Sequence, residues 1–221
     1  MKRVLVLRPE PGASATVERA REQGLDAVAV PLFEVQPIQW EMPEASSFDG
    51  ILLTSANAVR HGGEGIEKLR GFKAYAVGDA TAEAARDAGF DIAATGDSGV
   101  DRLLGSIDQD LRLLHLCGDD RREPEGARQQ IAAIPVYRAK AIDKPDLSKA
   151  NGSVALIHSP RAARRFAELV EDRRSIAIAA ISEGAAEAVG AGWERVESAV
   201  QPNDEALLAL AARLCNKPAP E

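Results

Sequence analysis

Short, unbroken apolar runs recur along this chain, each followed by a turn of small residues and then a stretch whose apolar positions are spaced three and four apart. The first such run is Val4-Leu5-Val6-Leu7, within a predicted strand at residues 3–8. Apolar runs without alternation are the pattern of strands buried on both faces of a parallel sheet. The turn Pro9-Glu10-Pro11-Gly12 follows, and Ser14 is placed to cap a helix that Gly24 ends. Further strands are predicted at 27–31, 50–54, 73–77, 91–94, 111–116, 134–142, 153–159 and 176–181. Helices are predicted from Ser55, over 80–88 with Asp79 as cap, over 100–107, near 124–131, from Pro160, and behind Ser182 as far as Val189. Residues 33–38, with Pro31 and Pro37 close by, read as an extended connector that cannot sit centrally in a sheet. Residues 216–221 read as a disordered polar tail.

The pattern repeats at an offset of 104. Pro31 and Phe33 recur as Pro135 and Tyr137, the strand at 50–54 as that at 153–159, Ser55 as Ser159, and Leu103-Leu104 as Leu207-Leu208. Two similar halves follow, each built of β-α-β units. The expected fold is therefore α/β: two flavodoxin-like domains of parallel sheets flanked by helices, joined by a two-stranded linker with a cleft between them. Ligands of such sheets bind beyond the carboxyl ends of the strands. This points to six strand-to-helix turns: Arg8-Pro9, Thr54-Ser55-Ala56-Asn57, Gly78-Asp79-Ala80-Thr81, Cys117-Gly118, Ser159 with Arg161, and Ser182-Glu183-Gly184. Helix N-termini and small-residue loops there offer backbone N–H groups to anions.

Charge narrows the partners. With a formal net charge of −7 the chain lacks the basic field that non-specific binding to nucleic acid or an anionic membrane requires. An acidic ligand would have to be met by local arginines; Arg121 and Arg122 are available, and Arg8, Arg138 and Arg161, at turns or in the connector, are better placed than Arg164 or Arg165, further along a helix. Cys117 and Cys215 fit no metal-ligand spacing and are read as reduced. The first apolar run is too short for a secretion signal and no stretch reaches membrane-spanning length, so a cytoplasmic protein is expected. The three histidines form no metal pattern, with His115 expected to be a satisfied core residue. No nucleotide-binding glycine motif or nucleophile elbow is present, and no cofactor or metal is expected.

Six segments in order resemble the uroporphyrinogen-III synthase family: Val4-Leu5-Val6-Leu7-Arg8-Pro9, Leu53-Thr54-Ser55-Ala56-Asn57-Ala58-Val59, Ala76-Val77-Gly78-Asp79-Ala80-Thr81, Pro135-Val136-Tyr137-Arg138, His158-Ser159-Pro160-Arg161 and Pro202-Asn203-Asp204-Glu205-Ala206-Leu207. The resemblance implies a cross-connected duplication, with residues 1–35 and 140–221 in one domain, 36–139 in the other, and linker strands at 33–38 and 137–142. The chain departs from the family at Ser182-Glu183-Gly184, where the family's hydroxyls are missing and Glu183 adds negative charge. The activity implied is cyclisation of the linear tetrapyrrole hydroxymethylbilane, with inversion of ring D, by a monomeric lyase that takes its substrate in a transient hand-over from hydroxymethylbilane synthase. Tyr137 is the implied acid or hydrogen-bond donor and the six turns hold the substrate's carboxylates. Two other readings stand beside this one: a non-catalytic module that senses a tetrapyrrole or another polyanion, and a two-lobed solute-binding protein.

Overall fold

The computed structural model describes residues 2–96, 99–121 and 123–216. They form two compact units, one of residues 1–34 with 141–221 and one of residues 35–140. The tail predicted at 216–221 lies outside the described residues apart from Asn216, and so does Arg122.

The first unit holds a five-stranded parallel sheet. Its strands are β1 (Val4–Val6), β2 (Ala27–Ala29), β9 (Val154–Ile157), β10 (Ala177–Ala180) and β11 (Arg195–Ser198), in the order β11-β10-β9-β1-β2. Around it pack α1 (Gly12–Glu22), α6 (Pro160–Leu169), α7 (Glu183–Val189) and α8 (Asp204–Asn216). Every residue of β1, β9 and β10 is buried, as unbroken apolar runs require when both faces of a sheet are covered. Val4, Val6, Leu156, Leu207 and Leu214 are among the residues of one apolar cluster.

The second unit is a six-stranded sheet in the order β3-β8-β7-β4-β5-β6, with β3 (Phe33–Pro37), β4 (Gly50–Leu53), β5 (Lys73–Val77), β6 (Asp91–Gly96), β7 (Arg112–Gly118) and β8 (Gln130–Ala141). Its helices are α2 (Ala56–His61), α3 (Gly65–Lys68), α4 (Asp79–Asp87) and α5 (Val100–Gly105). Taken from the edge, β8-β7-β4-β5-β6 repeats the arrangement β2-β1-β9-β10-β11. The starts of β4, α2, β5, α4, β6 and α5 each lie 104 residues before those of β9, α6, β10, α7, β11 and α8. The duplication is therefore one of structure as well as of sequence.

β3 takes the sheet edge, where Pro37 costs no ladder bond. The amide of Ile142 donates to Leu32 and that of Ile38 to Val136, so the two strands run antiparallel along this edge.

Several local expectations change. No helix forms at 124–131 among the described residues: Gly126 adopts φ 70°, and β8 begins at Gln130. The buried amide of Gln129 spans the carbonyls of Ile107 and Gln109, closing this crossover without a helix. Cys117 and Gly118 extend β7 rather than forming a loop. Ser14 does not cap α1. It lies inside the helix, and the Glu10 carboxylate accepts from its backbone N–H at 3.0 Å. Asp79 is the first residue of α4, whose cap is Gly78 at φ 83°. β11, α3 and a 3-10 turn at Ala45–Ser47 are additions. No described helix is long and apolar enough to cross a membrane.

Candidate functional site

At the carboxyl end of the second unit's sheet, β7 and β8 fall out of register. Cys117 pairs with Pro135, but Gly118 pairs with Tyr137, leaving Val136 as an extra residue. Pro135 has no N–H to give, so the break falls where the ladder is weakest. Bulges of this kind re-aim side chains. Here Val136 is fully buried, while the Tyr137 ring lies over Gly118: a Cβ at Gly118 would sit 3.0 Å from the ring and 3.2 Å from the phenol oxygen. The backbone of Asp119 donates to the Tyr137 carbonyl and fixes the strand end. Burial raises the Tyr137 pKa, with the Ser55 hydroxyl acting in the opposite sense, so the phenol keeps its proton at neutral pH. His61 lies 6.4 Å away, ring centroid to centroid.

Thr54 and Ser55 follow β4 immediately. The Ser55 side chain accepts from the Asn57 amide and caps α2, while the Thr54 hydroxyl sits 2.9 Å from Nε2 of His115. His115 is buried as expected, and its pKa falls to about 4 through burial and then the charge of Arg121. Gly78, Asp79 and Ala80 form the α4 start beside β5, but Thr81 is only 6% exposed and is part of the buried side of the helix. The Cys117 thiol is buried and burial pushes its pKa up, so its backbone is what it can present. Arg138 is exposed, next to Tyr137 on a strand whose successive side chains alternate between faces. A groove of about 850 Å³ runs between Trp40 and the Gly62–Gly65 turn, but Glu41 and Glu64 on its rim oppose a polycarboxylate.

In the first unit the equivalent rim is built on charge. Asp204, at the start of α8, accepts from Thr16 at 3.0 Å, from Nε2 of His158 at 3.0 Å and from Arg19, and lies 3.5 Å from Arg8. Burial pushes the Asp204 carboxyl upward, but the bonds from His158 and Arg19 outweigh it and hold the group below the ordinary carboxylate range. Burial lowers His158 more than Asp204 raises it. Pro9 continues from Arg8 toward α1.

Ser159 caps α6 through the Ala162 amide at 3.1 Å, and Ser182 caps α7 through that of Ala185. Glu183 and Gly184 are exposed at that start. The guanidinium of Arg161 lies 4.7 Å above the Phe33 ring, so Phe33, at 7% exposure, is a packed aromatic where Tyr137 remains partly open. Ser159→Ala should lower stability by about 1 kcal/mol through loss of the cap. Denaturant titration checks this, and an unchanged midpoint would refute the capping role.

Arg8, Pro9, Ser159, Arg161 and 182–184 thus gather at the carboxyl ends of one sheet, and Tyr137, Gly118, Thr54, Ser55 and 78–80 at those of the other. Sequence reading gave no site role to Asp204, quoted only within the segment 202–207, or to His61, weighed only as a metal ligand. The first had a signal in Asn203-Asp204-Glu205 ahead of an apolar helix. Among the described residues no three His, Cys, Asp or Glu side chains converge as a metal-binding group.

The family model described as Uroporphyrinogen-III synthase HemD matches residues 14–209. A uroporphyrinogen-III synthase of Chlorobaculum parvum is 39% identical over 61 residues, which are 27% of this chain and a quarter of the relative's length. The fold is shared with the uroporphyrinogen-III synthetase of Helicobacter pylori 26695, at TM-score 0.70 and 18% identity over 97% of this chain and all of that one. A mutant synthase of the extremely thermophilic bacterium Thermus thermophilus superposes at TM-score 0.55 with 18% identity, over 98% of this chain and all of that one. With sheet order, repeat and family model in agreement, the chain belongs to the uroporphyrinogen-III synthase family.

Proposed function

We propose that this chain is a cyclising hydro-lyase that converts hydroxymethylbilane into uroporphyrinogen III. The observation that carries the reading is Tyr137, a protonated phenol held against Gly118 and beside Ser55 at the carboxyl end of a parallel sheet, whose repeat counterpart is a packed phenylalanine.

The phenol donates its proton as the hydroxyl of ring A departs, so that water leaves and an azafulvene protonated on its ring nitrogen remains beside the phenolate. The substituted carbon of ring D attacks that centre to form a spiro intermediate. The intermediate opens, and ring D closes again through its other α-carbon; the proton lost from that carbon restores the phenol. Substrate becomes product plus one water, with no change in oxidation level.

Most of the work is orientation. The substrate closes spontaneously to the type I isomer, and holding a flexible chain in a reactive geometry contributes up to roughly 7 to 11 kcal/mol. The first backbone N–H groups of the helices, at 55–56, 79–80 and 183–184, are the natural donors to its carboxylates, with Arg8 and Arg161 supplying charge. The reading includes action as a cytoplasmic monomer that receives a short-lived substrate from hydroxymethylbilane synthase.

Purified protein should be given freshly made hydroxymethylbilane and the oxidised porphyrins separated by chromatography. An excess of the type III isomer is expected. Type I alone would refute the activity and favour a sensing module.

A further inference from the structure

Arg8 leaves β1 at the position where the sheet order reverses, between β1 and β9. Its guanidinium is half-buried and held on two sides. On one side is the Asp204 carboxylate, itself fixed by Thr16, Arg19 and His158. On the other is Gly12, at the start of α1. A Cβ at Gly12 would sit 2.7 Å from Nε and 2.9 Å from Cζ of Arg8. Gly12 does not have a positive φ, so the backbone does not call for glycine there. What does call for it is the space the guanidinium fills.

We propose that Gly12 and Asp204 are positioning residues that aim the Arg8 guanidinium at a substrate carboxylate. Asp204 supplies the charge that keeps a desolvated cation in place, and Gly12 supplies the room. Because α8 carries Asp204 and α1 carries Gly12, the aim of Arg8 depends on two helices that come from opposite ends of the chain. The inference rests on the reading of Arg8 as a carboxylate-binding residue of the proposed synthase.

The test variant is Gly12→Ala. The added methyl meets the tip of a long, flexible side chain, so the helix persists while Arg8 is pushed aside. Steady-state kinetics on hydroxymethylbilane should show KM raised about tenfold, the scale of one charge-assisted hydrogen bond, with kcat changed less. Uroporphyrin III, titrated by its fluorescence, should bind more weakly by a similar factor. The thermal midpoint should not fall.

In an Arg8→Ala background the same substitution should add nothing, because the group it displaces is gone. Asp204→Asn, which keeps shape and removes charge, should likewise raise KM in wild type and have little effect on KM without Arg8. Unchanged KM and uroporphyrin binding in Gly12→Ala would overturn the proposal, as would an equal effect in the Arg8→Ala background. If wild type forms only the type I isomer, the enzymatic reading fails, and the uroporphyrin titrations alone decide the positioning role.

Discussion

Tyr137→Phe is expected to lower kcat by about two orders of magnitude, the lower end of what a positioned general acid contributes, while KM and the denaturation midpoint stay near wild type. The ring itself is retained, so its packing against Gly118 and the Ile51, Leu116 and Val136 cluster survives; only the oxygen is removed. The fold supplies its own control. Phe33 occupies the equivalent place in the repeat and is covered by Arg161, so Phe33→Tyr should gain no activity and should not rescue Tyr137→Phe. Rapid-quench kinetics with isomer analysis separates loss of chemistry from loss of steering: residual product that remains type III would show orientation intact. A Tyr137→Phe enzyme with wild-type turnover would end the assignment of the acid.

The second large effect is on stability in acid. Folded, His115 takes up a proton only at about pH 4, whereas in the unfolded chain it does so near 6.5. Between these values unfolding is accompanied by proton uptake, so acid favours the unfolded chain. The stability contributed by neutral His115 is complete above about pH 6.5 and is lost as pH falls toward 4, a difference of about 3 kcal/mol. Register places Val6 of β1 where His115 stands in β7, so His115→Val uses a residue the repeat already accepts. In urea titrations across that window the valine variant should lose about 3 kcal/mol less than wild type. Parallel pH slopes for the two proteins would sink the idea. His158, also lowered by burial, acts in the same direction, and Asp204 extends the loss to lower pH, so the variant flattens the curve without abolishing its slope.

What the sequence made legible depended on how local each cause was. The unbroken apolar runs identified β1, β4, β9 and β10 because burial on both faces leaves no polar position to blur the signal. β11, whose residues are half-buried or exposed, lacked that signal and was missed. The helix expected at 124–131 failed because its apolar spacing was overruled by Gly126 and by the buried Gln129 amide, a contact with residues 20 and more positions away. At the site, Ser55, Ser159 and Ser182 were readable because a cap is a relation between neighbours. The bulge that turns Tyr137 over Gly118 was not, since it arises from the pairing of two strands. Asp204 gathers partners from α1 and from the turns after β1 and β9, and only the folded chain brings them to one carboxylate.

The ladder joining Leu32 to Ile142 also bears on the order in which the chain assembles. β1 must find β9, a pairing of Val4 with Val154 that closes a loop of 150 positions. Residues 35–140 form a compact unit that is contiguous in sequence. Once they are in place, the hydrogen bond between Ile142 and Leu32 shortens the effective loop from Val4 to Val154 to about 40 positions, reducing its closure entropy by about 1 kcal/mol. The inserted unit thus acts as a template that brings two distant stretches of chain into register. During synthesis, the edge of β1 that β2 does not cover must wait for β9 to emerge, for most of the time the ribosome takes to make the chain.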